Sequence, residues 1–378
     1  MFRRRAASNL IFITQSAMTV STIVFLILGL VLLIWGAEYL VRGASNLATA
    51  AGVSPLVVGL TVVAFGTSSP ELAVSVMSAF KGQADLALGN VVGSNIFNVL
   101  FILGISAMIV PLVVAQQLVR FDVPVMIFVS FLLIGLGFDG NIGRLDGILL
   151  FGGAVAYTVF LIRQSRKESS AEVKEEYDKE FSGDKKSGLG KNIAFVVVGL
   201  AGLMLGSKWL VSSAIAIAQS FGVSELVIGL TIVAAGTSMP EVATSVIAAI
   251  RGERDIAVGN VVGSNIFNIL CVLGLSSIVA PAGVEVSKAA INFDIPVMIA
   301  VAVACLPIFF AGYQITRING VAFFGFYVAY IVYLIFTASN HQLLGTFQSA
   351  MMYFVLPLTA LTLLVMGIRG FSNKKAAA

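Results

Sequence analysis

Gly89–Asn98 reads GNVVGSNIFN, and Gly259–Asn268 reads GNVVGSNIFN again, 170 positions later with all ten residues identical. Each copy follows a second shared phrase at the same distance, GTSSPE at Gly66–Glu71 and GTSMPE at Gly236–Glu241. The likeness extends outward. Gly29 to Glu71 aligns without gaps on Gly199 to Glu241, and FDVPVM at Phe121–Met126 answers FDIPVM at Phe293–Met298. A chain that repeats itself at this spacing folds as copies of one unit.

Composition says which kind of unit. Of the 378 residues, 58% are hydrophobic and 11% charged, and mean hydropathy is +1.00. Soluble domains carry about 25% charged residues, so this chain has too little polar surface to face water. Its apolar runs are long enough to cross a hydrocarbon core as helices, which takes about 20 residues. Barrel strands would be shorter and alternating. The sequence predicts spans at about 20–40, 54–80, 86–110, 122–138 and 144–163, then 192–212, 223–250, 256–280, 292–312 and 317–337, and an eleventh at about 344–368.

The fold class that follows is an all-α multi-pass membrane protein. Two inverted five-helix repeats form ten core transmembrane helices, with an eleventh at the C-terminus. Five spans are an odd number, so the second half enters the membrane from the opposite face, a recurring plan of secondary transporters. The expected organisation is an N-terminal extension over 1–19, a first half over 20–163, a linker over 164–191, a second half over 192–337 and the extra helix with its basic tail over 338–378. The linker QSRKESSAEVKEEYDKEFSGDKKSGLGK mixes charge with Ser and Gly and reads as a solvated tether. Most of the 23 Lys and Arg fall on its side of the membrane, which places it in the cytoplasm of a cell (inner) membrane protein. Arg3, Arg4 and Arg5 oppose that bias. Translation starting at Met18 accounts for them, as does a processed or tethered extension.

Carboxylates at mid-membrane are costly and mark function. Glu71 and Glu241 lie in equivalent places, each after a proline whose missing N–H frees the carbonyl of Gly66 or Gly236. Thr67, Ser68 and Glu71 share a helix face, as do Thr237, Ser238 and Glu241. Ser94 with Asn98, and Ser264 with Asn268, are four apart and share faces too. Gly89 with Gly93, and Gly259 with Gly263, have the small-xxx-small spacing that brings helices close, here expected between spans 3 and 2 and their counterparts. Asn90 and Asn95 are expected to bond nearby backbone. Glu38, Asp122 and Asp294 are expected at interfacial helix ends, with Asp85 and Asp255 as caps. Cys271 and Cys305 read as packing residues, and the single histidine, His341, excludes a His-cluster site. An all-oxygen donor set suits hard cations such as calcium or sodium over zinc or copper.

Together GTSSPE, GTSMPE and the doubled GNVVGSNIFN resemble the two alpha-repeats of the calcium/cation antiporter superfamily, and within it the prokaryotic sodium/calcium exchangers. The resemblance covers spans 1–10 and leaves out the first 17 residues and the last apolar run. It implies exchange of calcium for sodium by alternating access, with spans 1 and 6 sliding over a core of the other eight. Three sodium ions would pass against one calcium ion, moving one net charge. The implied ligands are Thr67, Ser68, Glu71, Ser94 and Asn98, then Thr237, Ser238, Glu241, Ser264 and Asn268, with the backbone carbonyls of Ala64 and Ala234. Some relatives carry Asp where this chain has Asn268, and its absence argues against the potassium-dependent branch.

The implied partners are calcium, sodium and the lipid bilayer, with no cofactor and no nucleic acid. A proton-driven antiporter using the same glutamates is the alternative, and a cation channel a further one. No HExxH, GxSxG or Ser–His pair is present, so the chain does not read as an enzyme.

Overall fold

The computed structural model describes residues 2–51, 53–168, 189–221, 232 and 234–377. We number its main helices α1 (Phe2–Ala51), α2 (Pro55–Thr67), α3 (Ser69–Phe80), α4 (Leu86–Ile109), α5 (Leu118–Leu136), α6 (Arg144–Glu168), α7 (Leu189–Ser220), α8 (Met239–Ile250), α9 (Arg254–Val279), α10 (Ala290–Phe310), α11 (Arg317–Ala338) and α12 (Leu344–Val365). Among the described residues nine helices are long and apolar enough to cross a membrane, or ten if α2 and α3 form one bent span. Of the span expected over 223–250, residues 223–231 and 233, ahead of α8, lie outside the described residues.

Local chemistry sets several boundaries. Ser54 caps α2 by accepting from Val57 N at 3.3 Å, with Pro55 at the first helical position. Thr316 and Asn319 form a reciprocal capping box at α11. The span expected as one helix over 54–80 bends by 48° at Ser68, just before Pro70. Pro70 cannot donate into the preceding turn, so the ladder restarts there. The first span is longer than expected: α1 begins at Phe2 and passes residues 19 and 40 without interruption, since neither Pro nor Gly occurs before Gly29. Helix also enters the linker from both ends, to Glu168 and from Leu189.

α4 and α9, which carry the repeated phrase, form the centre of the bundle, and α9 is almost wholly buried. Each widens into a π-helical turn that starts at the last asparagine of the phrase, over Asn98–Leu103 and Asn268–Leu273. Such turns often occur at functional sites. Two short antiparallel pairings tie loops of the two halves, Leu112–Val113 with Gln314–Ile315 and Asn141–Ile142 with Val284–Glu285.

The glycines of the second phrase do more than expected. A methyl group on Gly263 would stand 2.7 Å from the Leu60 backbone, and one on Gly259 3.1 Å from the Leu56 carbonyl oxygen. These glycines press α9 against α2 of the first half, not against the span that precedes it in sequence. The positions equivalent to Leu56 and Leu60, around 226–230, lie outside the described residues.

α1 and α7 form a separate pair on the flank, both mostly exposed along their apolar length. Gly29 meets Gly206, Gly36 meets Gly199, and Gly43 meets Asn192, with added methyls falling 2.7–2.9 Å from backbone oxygens. As one number rises the other falls, so the pair runs antiparallel.

Two acidic residues, Glu38 and Asp122, depart from expectation. Glu38 lies inside α1, not at its end, and binds Arg251 through Nε at 2.9 Å and Nη2 at 2.5 Å, with Arg42 at 2.6 Å. Asp122 is buried and accepts from the Tyr157 hydroxyl at 2.9 Å. Asp294, half-buried near the start of α10, accepts from Tyr330 at 3.1 Å. A carboxylate taken out of water needs such a donor. Asp255 sits in the first turn of α9, with Glu253 at the capping position; Asp85 lies in the helical turn that opens at Ala84 and leads into α4, with Gln83 at the capping position. Cys271 and Cys305 are buried free thiols, as expected.

Arg251 is half-exposed, and exposed ion pairs contribute about 0–1 kcal/mol. Arg251→Ala is therefore expected to cost under about 1 kcal/mol in detergent unfolding, with the difference vanishing in roughly 1 M salt. A large, salt-independent loss would contradict this reading.

Candidate cation site

Glu71 and Glu241 each occupy the first turn of a helix, α3 and α8, just past a break at Ser68 or Ser238. A helix N-terminus favours a carboxylate. Both are buried, with exposures of 0% and 1%. Ser238 Oγ donates to Glu71 Oε1 at 2.7 Å, and Ser68 Oγ donates to Glu241 Oε1 at 2.8 Å. Each carboxylate is thus held by the serine of the other half. The remaining oxygens, Glu71 Oε2 and Glu241 Oε2, have no protein hydrogen-bond partner. No described Lys, Arg or His pairs with either glutamate.

Several of the other expected residues are linked between the two copies in reciprocal pairs. Ser94 Oγ lies 3.2 Å from Ser238 Oγ. Thr67 Oγ1 donates to Asn260 Oδ1 at 3.1 Å, and Thr237 Oγ1 to Asn90 Oδ1 at 3.3 Å. Asn98 Nδ2 donates to Asn265 Oδ1 at 3.0 Å, and Asn268 Nδ2 to Asn95 Oδ1 at 3.1 Å. The carbonyl ends of Asn98 and Asn268, and the Ser264 hydroxyl, are buried without a protein partner. The Ala64 carbonyl accepts from Ser68 N at 3.0 Å. Ala234 opens the short helical turn Ala234–Gly236.

The carbonyl of Gly236, freed by Pro240, is taken up by another helix: Ser207 Oγ of α7 donates to it at 2.8 Å. Ser207 was invisible to sequence reasoning because it lies in an apolar span with no repeated counterpart, residue 37 being alanine. Asn90 and Asn260 also prove to be structural links. Their amide nitrogens reach Ser75 and Ser245, and their oxygens hold the threonines. The signal for them was the full identity of the two phrases, which is more than ligands alone require.

Among the described residues no group of three or more His, Cys, Asp or Glu could hold a metal. The donors here are two carboxylates, amide oxygens and hydroxyls. Two buried carboxylates without a counter-charge are strongly unfavourable in hydrocarbon, and a hard cation is what this oxygen set can accept.

Comparison with known families shows which family the chain belongs to. The family described as sodium/calcium exchanger protein matches residues 21–163 and 191–336. This chain belongs to the sodium/calcium exchanger family. It is a family of membrane transporters, not of enzymes. The sodium/calcium exchanger MaX1 of Methanosarcina acetivorans is 35% identical over 343 residues, covering 82% of this chain and 97% of MaX1. Inner membrane protein YrbG of Escherichia coli is 38% identical over 257 residues, 67% of this chain and 77% of YrbG. A solved structure of the sodium-calcium exchanger NCX_Mj superposes with a TM-score of 0.71 at 28% identity, covering 83% of this chain and 99% of that one. The exchanger is therefore a multi-pass helical membrane protein with the fold of NCX_Mj. The family match ends at residue 336, before α12.

Proposed function

We propose that this exchanger moves calcium across the membrane against sodium by alternating access, and that Glu71 and Glu241 carry the charge of the calcium site. The observation that carries this is the pair of buried carboxylates, each with one oxygen held by the opposite half and one left without a protein partner. A calcium ion neutralises both. The hydroxyls of Thr67, Ser68, Ser94, Thr237, Ser238 and Ser264, the amide oxygens of Asn98 and Asn268, and the carbonyls of Ala64 and Ala234 complete the set from which calcium and sodium draw ligands.

The reciprocal bonds and the antiparallel α1–α7 pair support two inverted halves over 20–163 and 192–337. The flank position of α1 and α7, zipped to each other by glycines, supports their moving as a unit over the rest. The arginine and lysine bias supports a cytoplasmic linker, and the likeness to YrbG an inner-membrane location. Under an inward sodium gradient such an exchanger extrudes calcium.

Proteoliposomes loaded with sodium test the reading. Calcium-45 uptake is expected when external sodium is removed and is expected to stop when an ionophore collapses the gradient. Uptake driven by a pH gradient alone would assign the proton as counter-ion, and flux with no counter-ion would assign a channel. Either result overturns sodium exchange.

A further inference from the structure

Four asparagines of the repeated phrase form a ring across the interface of α4 and α9. Asn95 Nδ2 donates to the Asn265 backbone carbonyl at 3.2 Å, and Asn265 Nδ2 to the Asn95 carbonyl at 3.3 Å. A backbone carbonyl can only accept. Each of these two side chains must therefore turn its NH₂ group to the backbone. The same nitrogens also face thioether sulfurs, Met298 Sδ at 3.6 Å and Met126 Sδ at 3.5 Å, which are acceptors as well.

With the nitrogens committed, the oxygens of Asn95 and Asn265 have a fixed direction. Asn95 Oδ1 receives Asn268 Nδ2, and Asn265 Oδ1 receives Asn98 Nδ2. Asn268 and Asn98 must then present NH₂ to the ring. Their own Oδ1 atoms are left pointing out of it, buried and without a protein partner. The choice between nitrogen and oxygen is made at the backbone and passed along two side chains.

We propose that Asn95 and Asn265 are positioning residues for the cation site: through this order of donors and acceptors they ensure that Asn268 and Asn98 offer oxygen, not NH₂, to the ion. The inference rests on the reading of Asn98 and Asn268 as ligands. An amide is nearly symmetric in shape, so without the ring it can turn over and present a donor that repels a cation. The ring also crosses the halves. A residue of the first phrase orients the ligand of the second, and the reverse, which gives a physical reason for the phrase to recur whole.

The test uses the full chain in proteoliposomes at fixed sodium, with a calcium KM and a calcium-free unfolding midpoint for each variant. Asn268→Ala is expected to raise the KM for calcium. Asn95→Ala is expected to raise it by about tenfold to a hundredfold, the scale of one hydrogen bond to a charged centre, with maximal rate and midpoint near wild type. The double variant is expected to have the KM of Asn268→Ala alone, because Asn95 acts through Asn268. A merely structural Asn95 would multiply the two effects, and that result overturns the proposal, as does an unchanged KM in Asn95→Ala.

If Asn268→Ala leaves the KM unchanged, the proposal also falls, while the glutamate site stands or falls separately on Glu71→Gln. Should Asn95→Ala fail to fold, Asn265→Ala with Asn98→Ala poses the same test on the other copy. Loss of the fold in both copies would make the ring structural only and overturn the proposal.

Discussion

Glu71→Gln and Glu241→Gln are each expected to abolish sodium-driven calcium uptake while the protein still inserts and purifies as a folded species. Glutamine keeps the shape of the side chain and an oxygen that accepts from Ser238 or Ser68, so the bonds at 2.7 and 2.8 Å survive. What is lost is one of the two charges that neutralise a divalent ion in a medium of low dielectric. Leaving a buried charge uncompensated costs about 3–5 kcal/mol, and each 1.4 kcal/mol is about tenfold in affinity. Calcium affinity is therefore expected to fall by about a hundredfold or more. Calcium-45 uptake at low calcium, measured beside size-exclusion profiles, checks this. Normal uptake in both variants would remove the glutamates from the site.

Gly199→Ala is expected to damage the molecule far from any ligand. The added methyl would stand 2.6 Å from Leu40 N, 2.7 Å from the Gly36 carbonyl oxygen and 2.9 Å from Leu40 Cα. All three are backbone atoms, so no side chain can swing aside; α1 and α7 must separate along their contact. Overpacking of this kind costs about 1–3 kcal/mol and at times more. A lower unfolding midpoint in detergent and reduced uptake are expected. Gly135→Ala is the control. Gly135 is an exposed glycine in α5 with no neighbour within 4 Å among the described residues, and its replacement is expected to be neutral. Equal stability for the two variants would mean that the glycine contacts do not hold the pair.

Much of this was legible in the residues. Apolar run lengths predict the membrane helices because hydrocarbon leaves a backbone few other options. Glu71 and Glu241 stand out because a carboxylate in such a run is costly. The break at Ser68 follows from Pro70. The glycines of α1 and α7, seven apart at 29, 36 and 43 and at 199 and 206, carry a readable signal for close approach.

Other features were not legible. Asp122 looked like a helix-end residue because nothing local says that Tyr157 will cover it. Gly263 looked like a contact with its own sequence neighbour, yet it meets Leu60.

The sequence by itself determined a multi-pass helical protein made of two like halves, and it named the oxygen-bearing residues that the halves contribute. Only the tertiary structure decided how those residues are shared. Ser238 holds Glu71, Ser68 holds Glu241, and Asn95 and Asn265 accept from the amides of Asn268 and Asn98 in the other copy. The reason is physical. Periodicity and residue cost act within one helix, where spacing fixes which side chains share a face. The partner across a helix crossing lies some 170 positions away, and it is selected by how closely glycines let two backbones approach.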